Sequence, residues 1–257
     1  MGSITKQYFP ALAGELQRNQ KVGILVSGGA DSEILLRSAA EVLGASSVTA
    51  FNAVTPFLAN YYTDLIRKLT SELGVRLIQV PLNLMDIEEI RENTQERCYH
   101  CKKAIYSSIK AAALEWNITT LADGTNTDDL SEYRPGLKAA KEQGIVQPFL
   151  RAEMTRSDIE KLGRALGMTD TQRPPDSCLA TRIDEDTPIT TELLSLVNKI
   201  EQPLRASAKG RLRAKVSPSH VTVEYQAVDK LLVEANKREL TNIAEVNKLS
   251  IAFHENT

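Results

Sequence analysis

Residues 22–32 read Val-Gly-Ile-Leu-Val-Ser-Gly-Gly-Ala-Asp-Ser, and residues 33–44 continue Glu-Ile-Leu-Leu-Arg-Ser-Ala-Ala-Glu-Val-Leu-Gly. A short apolar run with β-branched residues, punctuated by glycine, reads as a buried strand. Ile34, Leu35, Leu36, Ala39, Ala40 and Leu43 then give a helix one apolar face. The turn between them is small and polar, so little side-chain bulk covers the first N–H groups of that helix. Those donors have no partner inside the helix, and the macrodipole adds about half a positive charge there. A pyrophosphate fits such a place.

Outward from this unit the same alternation repeats. Residues 4–19 read as an amphipathic helix with Tyr8, Leu12 and Leu16 toward a core. Residues 48–54 form a second apolar run, 60–73 a helix, 75–82 a third strand, 99–116 a helix and 118–122 a fourth strand. Strands alternating with helices predict βαβ units and a parallel sheet, which presents ligands beyond the carboxyl ends of its strands. Three such ends are Ser27–Ser32, Ala53-Val54-Thr55 and Asp123-Gly124-Thr125-Asn126, and they are expected to line one crevice. Residues 127–150 read as a polar connection, and 157–166 as a helix capped by Ser157 with Glu160. Arg173-Pro174-Pro175-Asp176-Ser177-Cys178-Leu179-Ala180-Thr181-Arg182 is a shaped loop, because two prolines exclude a regular helix or central strand. A boundary near 184–189 divides residues 1–186 from a small α+β domain, 187–257. That domain reads as helix 190–206, strands 211–217 and 220–225, helix 226–238 and a strand near 249–254.

The 257 residues carry 31 Lys and Arg against 33 Asp and Glu, a net charge of −2, which gives no general attraction to nucleic acid. No apolar run has the length of a membrane span, and a secretory leader pattern is lacking, so a cytoplasmic protein is expected. Three cysteines in such a protein favour metal binding or catalysis over disulfides.

The wording of the first turn narrows the chemistry. Neither the Walker A pattern nor the Gly-x-Gly-x-x-Gly dinucleotide fingerprint occurs. Ser-Gly-Gly-x-Asp-Ser after a strand resembles the PP-loop of the N-type ATP pyrophosphatases, whose fold is adenine nucleotide alpha hydrolase-like. Those enzymes cleave ATP between the α- and β-phosphates and adenylate a substrate. On that resemblance Ser27, Gly28, Gly29 and Ser32 hold the pyrophosphate, Asp31 helps to hold Mg²⁺, and Gly124 lies at the nucleotide edge.

Cys98-Tyr99-His100-Cys101 sits near the start of a predicted helix, where negative charge is favoured. Two thiolates three apart can share one metal centre, and Cys178 offers a third. The residues leave several readings open: a redox pair, a Cys₃His zinc site, inert thiols, or a [4Fe-4S] cluster with one open iron. Tyr133-Arg134-Pro135-Gly136-Leu137-Lys138, Ser177-Cys178-Leu179-Ala180-Thr181-Arg182 and the PP-loop together resemble the LarE family over about residues 5–225. These are ATP-dependent sulfur transferases that make the nickel-pincer nucleotide cofactor. The resemblance implies adenylation of a carboxylate of pyridinium-3,5-biscarboxylic acid mononucleotide and replacement of a carboxylate oxygen by sulfur. Members with one cysteine, at the position of Cys178, sacrifice its sulfur; members with three resemble [4Fe-4S] proteins that carry sulfide and turn over. By that pattern Cys98, Cys101 and Cys178 hold a [4Fe-4S] cluster, and sulfide or a sulfur donor supplies the atom.

The same resemblance makes Lys102 an active-site lysine, and places Arg134 and Arg182 at the substrate. Two family arginines that grip the substrate phosphate fall on Arg213 and Lys215. Lysine lacks the bidentate fork, which is a departure from the pattern. The family also implies a homo-oligomer built from trimers, up to a hexamer. Competing readings are a [4Fe-4S] tRNA thiolation enzyme, an amide-forming PP-loop ligase, and a non-catalytic carrier of ATP or sulfide.

Overall fold

In the computed structural model the described residues are 3–131, 135–171, 178–217 and 219–256. In chain order their regular elements are α1 (Ile4–Tyr8), α2 (Pro10–Gln17), β1 (Val22–Leu25), α3 (Ala30–Leu43), β2 (Val48–Val54), α4 (Asn60–Glu72), β3 (Arg76–Pro81) and α5 (Glu88–Arg91). There follow α6 (Arg97–Glu115), β4 (Leu121–Ala122), α7 (Pro135–Gln143), α8 (Pro148–Arg151), α9 (Arg156–Ala165), α10 (Thr191–Arg205), β5 (Arg213–Val216), β6 (His220–Gln226), α11 (Lys230–Val246) and β7 (Ser250–Asn256). Contacts group the chain into two compact units. The first holds Met1–Thr55, Tyr62–Leu82 and Cys98–Gln172; the second holds Pro56–Tyr61, Asn83–Arg97 and Arg173–Thr257.

The first unit is α/β, as its alternating pattern predicts. Its sheet runs β3-β2-β1-β4 and is parallel throughout, with Val22 beside Val48 and Gly23 beside both Thr49 and Leu121. All four residues of β1 are buried, as expected of a strand covered on both faces. One layer packs Leu12, Leu16, Ile34, Leu35, Ile66, Phe149 and Ile159. The other packs Phe51, Tyr106, Ile109, Ala113, Ala139 and Ala140. Each fully buried Leu, Ile or Phe contributes roughly 1.5–3 kcal/mol of transfer free energy. Because β2, β1 and β4 are neighbours, their carboxyl ends lie side by side, as the strand pattern requires.

Several local expectations change. The single helix over 4–19 is two, broken at Phe9 (φ −134°, ψ 63°), because the residue before Pro10 is pushed out of helical geometry. The break shifts the helical phase, so Tyr8 is 62 % exposed and Phe9 packs on the core in its place, while Leu12 and Leu16 are buried as expected. The fourth strand shortens to two residues. Asn117 takes a left-handed conformation (φ 55°) and Ile118 N–H returns to Ala113 O, closing the end of α6. The connection over 127–150 contains α7. Pro135-Gly136 looks like a helix breaker, yet proline suits a first turn, and Ala139 and Ala140 bury one face. The cap of α9 is Thr155 with Asp158, a reciprocal pair two residues upstream of the expected one.

The second unit carries a mixed sheet, β5-β6-β7, antiparallel then parallel. Ala214, Val216, Val221 and Val223 bury one face of it. Leu194, Val197, Ile200 and Leu204 of α10, and Val233, Leu240 and Ala244 of α11, are buried likewise. The segment from Cys178 to Asp186 belongs to this unit. Among the described residues no helix is long and apolar enough to cross a membrane.

Candidate functional site

The turn after β1 has the geometry its composition demands. Gly28 has φ +84°, and a Cβ there would lie 2.7 Å from Tyr62 Cδ1, so only glycine fits. Ser32 Oγ donates to Gly29 O (2.9 Å) and accepts from Ser27 N–H (3.3 Å), which folds the loop over the start of α3. Gly29 is the N-cap and, among the described residues, no side chain caps the helix. Gly124, just beyond β4, closes against the same turn: a Cβ there would sit 3.1 Å from Asp31 C and Ser32 N. The first unit therefore brings Ser27, Gly28, Gly29, Asp31, Ser32 and Gly124 together at adjacent strand ends.

Asp31 is the charged centre of this edge. Its Oδ2 accepts from Asn126 Nδ2 and from Arg156 Nη1, each at 3.2 Å. Its Oδ1 is buried and has no hydrogen-bond partner among the described residues. Burial raises the Asp31 carboxyl above the ordinary aspartate range; Arg156 and Asn126 pull it down, while Asp129 and Glu160 push it up. One oxygen is thus pinned and the other is left with a dehydrated lone pair, which costs stability unless a cation or donor meets it. That donor set suits a hard divalent ion, which prefers carboxylate oxygen.

Arg156 was not singled out by the sequence. It lies in the first turn of α9, 125 positions from its partner, and belongs to no motif. Its only sequence signal is a basic residue at the start of a helix that follows the nucleotide-edge segment.

The first turn of α6 carries Cys98, exposed, and Cys101, half-buried, neither of them in a disulfide among the described residues. Being three apart, they lie on one side of the helix. Lys102 follows, with Nζ 5.4 Å from the Tyr106 ring centroid. Tyr106, then Asp123 and Cys101, favour the protonated ammonium and hold Lys102 above the ordinary lysine range despite some loss of hydration. Tyr106 Oη donates to Asp123 Oδ2 (2.8 Å), and burial, opposed by Lys102, raises the phenol.

In the second unit the backbone of Cys178 is held on several sides. Leu58 and Cys178 form an antiparallel bridge, and Leu179 N–H donates to Phe57 O (2.7 Å). Cys178 O accepts from Thr181 Oγ1 (2.8 Å) and Arg182 Nη1 (3.0 Å). Arg97 Nη1 donates to Ala180 O (3.0 Å). Arg182, expected at the substrate, has no exposed surface, and its Nε and Nη2 grip Glu201 Oε1 (2.8 Å) and Oε2 (3.2 Å). Glu201 is equally buried and also takes Ala214 N–H (2.8 Å) and Arg205. Arg213 and Lys215 lie on one face of β5, opposite in direction to the buried Ala214 and Val216. Arg134 and residues 172–177 lie outside the described residues. Among the described residues no three His, Cys, Asp or Glu side chains are gathered as ready metal ligands.

No protein-family model matches the chain. Three curated relatives do. An uncharacterized protein of Synechocystis sp. is 30% identical over 219 residues, covering 85% of this chain and 79% of the relative. The pyridinium-3,5-bisthiocarboxylic acid mononucleotide synthase of Lactiplantibacillus plantarum is 30% identical over 195 residues, covering 76% of this chain and 71% of the relative. An uncharacterized protein of Methanocaldococcus jannaschii is 28% identical over 209 residues, covering 81% and 79%.

Proposed function

The chain belongs to the LarE family, and from that premise we propose that it is an ATP-dependent sulfur insertase acting on pyridinium-3,5-biscarboxylic acid mononucleotide. That it acts as an enzyme of sulfur insertion follows the synthase relative; the adenylation route and the sulfur carrier are our reading. A carboxylate is a poor electrophile and its oxygen a poor leaving group. Attack of a carboxylate oxygen on the α-phosphorus of ATP expels pyrophosphate and leaves an acyl-adenylate. Sulfide then attacks the acyl carbon, AMP departs with the oxygen, and a thiocarboxylate remains.

The chain's own residues have distinct tasks in this scheme. The backbone donors of Gly28, Gly29 and the start of α3, with Ser27 and Ser32, hold the departing pyrophosphate. Asp31 offers Oδ1 to Mg²⁺, which when bound neutralises charge on the phosphates. Lys102 places a fixed positive charge for the adenylating step. Arg213 and Lys215 hold the substrate phosphate. Arg182 sets the backbone of Cys178 through its carbonyl. Cys98, Cys101 and Cys178 are the thiols that would hold a [4Fe-4S] cluster, which when bound would supply the sulfide, although among the described residues they are not gathered as a ready ligand set.

The observation that carries this reading is the buried Asp31 Oδ1, which meets no hydrogen-bond partner among the described residues, beside a helix N-terminus that none of their side chains caps. The test is release of AMP and pyrophosphate when the anaerobically reconstituted protein meets Mg·ATP and the dicarboxylate nucleotide. Equimolar release that vanishes in Asp31→Asn supports it; ADP and phosphate, or no cleavage, refutes it.

A further inference from the structure

Between the thiol-bearing helix and the nucleotide edge runs a chain of contacts with no task yet in the proposed reaction. Tyr106, one turn beyond Lys102 on α6, is 2 % exposed and lies beneath the Lys102 ammonium. Its hydroxyl donates to Asp123 Oδ2 at 2.8 Å. Asp123 is 7 % exposed and ends β4; its Oδ1 accepts from Thr125 N–H at 3.1 Å. Gly124, between them, abuts the backbone of Asp31 and Ser32. From the other side Gly136 closes on the lysine stem: a Cβ there would lie 3.1 Å from Lys102 Cγ.

A buried tyrosine needs a partner for its hydroxyl, and any carbonyl would serve. A carboxylate is a costly choice, since burial penalises its charge. Here each of its oxygens serves a different element: one holds α6, the other shapes the loop that touches the PP-loop. The ring face meanwhile attracts the ammonium. We propose that Tyr106 and Asp123 form a buried strut that positions Lys102 with respect to the nucleotide edge, with Gly136 as the stop that limits its stem. Tyr106 and Asp123 are positioning residues: they act through Lys102 and through Gly124. The inference rests on the reading of Lys102 as part of the adenylating site.

The experiment uses the full chain and its variants Tyr106→Phe and Asp123→Asn, the second keeping shape and an acceptor should the first fail to fold. The first readout needs no nucleotide: acetylation of Lys102 relative to Lys103 by an amine-reactive ester at one fixed pH, read by peptide mass spectrometry. Loss of the strut is expected to change that ratio about threefold or more. The second readout is pyrophosphate release by Tyr106→Phe, where kcat is expected to fall about tenfold with the KM for ATP unchanged. An unchanged Lys102 to Lys103 ratio in a folded variant overturns the proposal. A changed ratio in a protein whose wild type releases no pyrophosphate leaves the strut standing and removes the adenylation reading.

Discussion

At the scale of single residues, Asp31, the proposed Mg²⁺ carboxylate, works against the fold that carries it. Its carboxyl is raised by burial, so the folded state favours the proton. That preference is fully present below the ordinary aspartate range and is lost as pH rises through the raised folded value. Near neutrality the ionised group therefore opposes folding. Asp31→Asn is expected to leave the melting temperature of the nucleotide-free protein unchanged or higher, and to abolish its rise with Mg·ATP; thermal scans with and without Mg·ATP check both. Gly28 behaves in the opposite way. Alanine there must adopt φ +84° and meet Tyr62, so Gly28→Ala is expected to cost about 2–4 kcal/mol, read by chemical denaturation. Gly124→Ala presses on the Asp31–Ser32 backbone and is expected to weaken ATP binding about tenfold or more, read by calorimetry.

At the scale of elements, α1 is held to the first unit by one side chain of α3. Glu41 accepts from Ile4 N–H (2.7 Å), Thr5 N–H (2.9 Å) and Thr5 Oγ1 (2.6 Å). Burial would raise its carboxyl, but these hydrogen bonds with that of Ser3 outweigh it and hold the group below the ordinary glutamate range. The stabilisation is present above that range and lost as pH falls through the lowered folded value. Glu41→Gln is expected to cost about 1–2 kcal/mol at about pH 7 and much less at about pH 3, as urea titrations at the two values would show. The elements also show what the sequence could tell. The run over 22–43 predicted β1, the turn and α3 because strand periodicity, glycines and helix periodicity agree there. Phe9-Pro10 hid a helix break, since apolar spacing continues across it. Pro135-Gly136 hid a helix start, since the same two residues end helices elsewhere. In the site, the PP-loop was legible as contiguous residues; Arg156, Tyr106 and the Arg182–Glu201 pair were not, because they are joined only through folding.

At the scale of the whole molecule, the residues assigned to the proposed reaction fall in two compact units. The first gathers the PP-loop, Asp31, Lys102 and the Cys98–Cys101 turn; the second fixes the backbone of Cys178 and carries Arg213 and Lys215. Breaking the Arg182–Glu201 pair leaves a buried carboxylate with less compensation, so Arg182→Met is expected to destabilise the second unit by about 3 kcal/mol or more. Hydrogen exchange of α10 and β5 should show it, with β1 and β2 unaffected. The proposed reaction couples adenylation to sulfur transfer. Its most direct test is mass spectrometry of small molecules and protein after anaerobic turnover with Mg·ATP and the dicarboxylate nucleotide. A thiolated product, one AMP and one pyrophosphate for each sulfur gained, and an intact Cys178 are predicted. A product without sulfur, or a Cys178 converted to dehydroalanine, contradicts it.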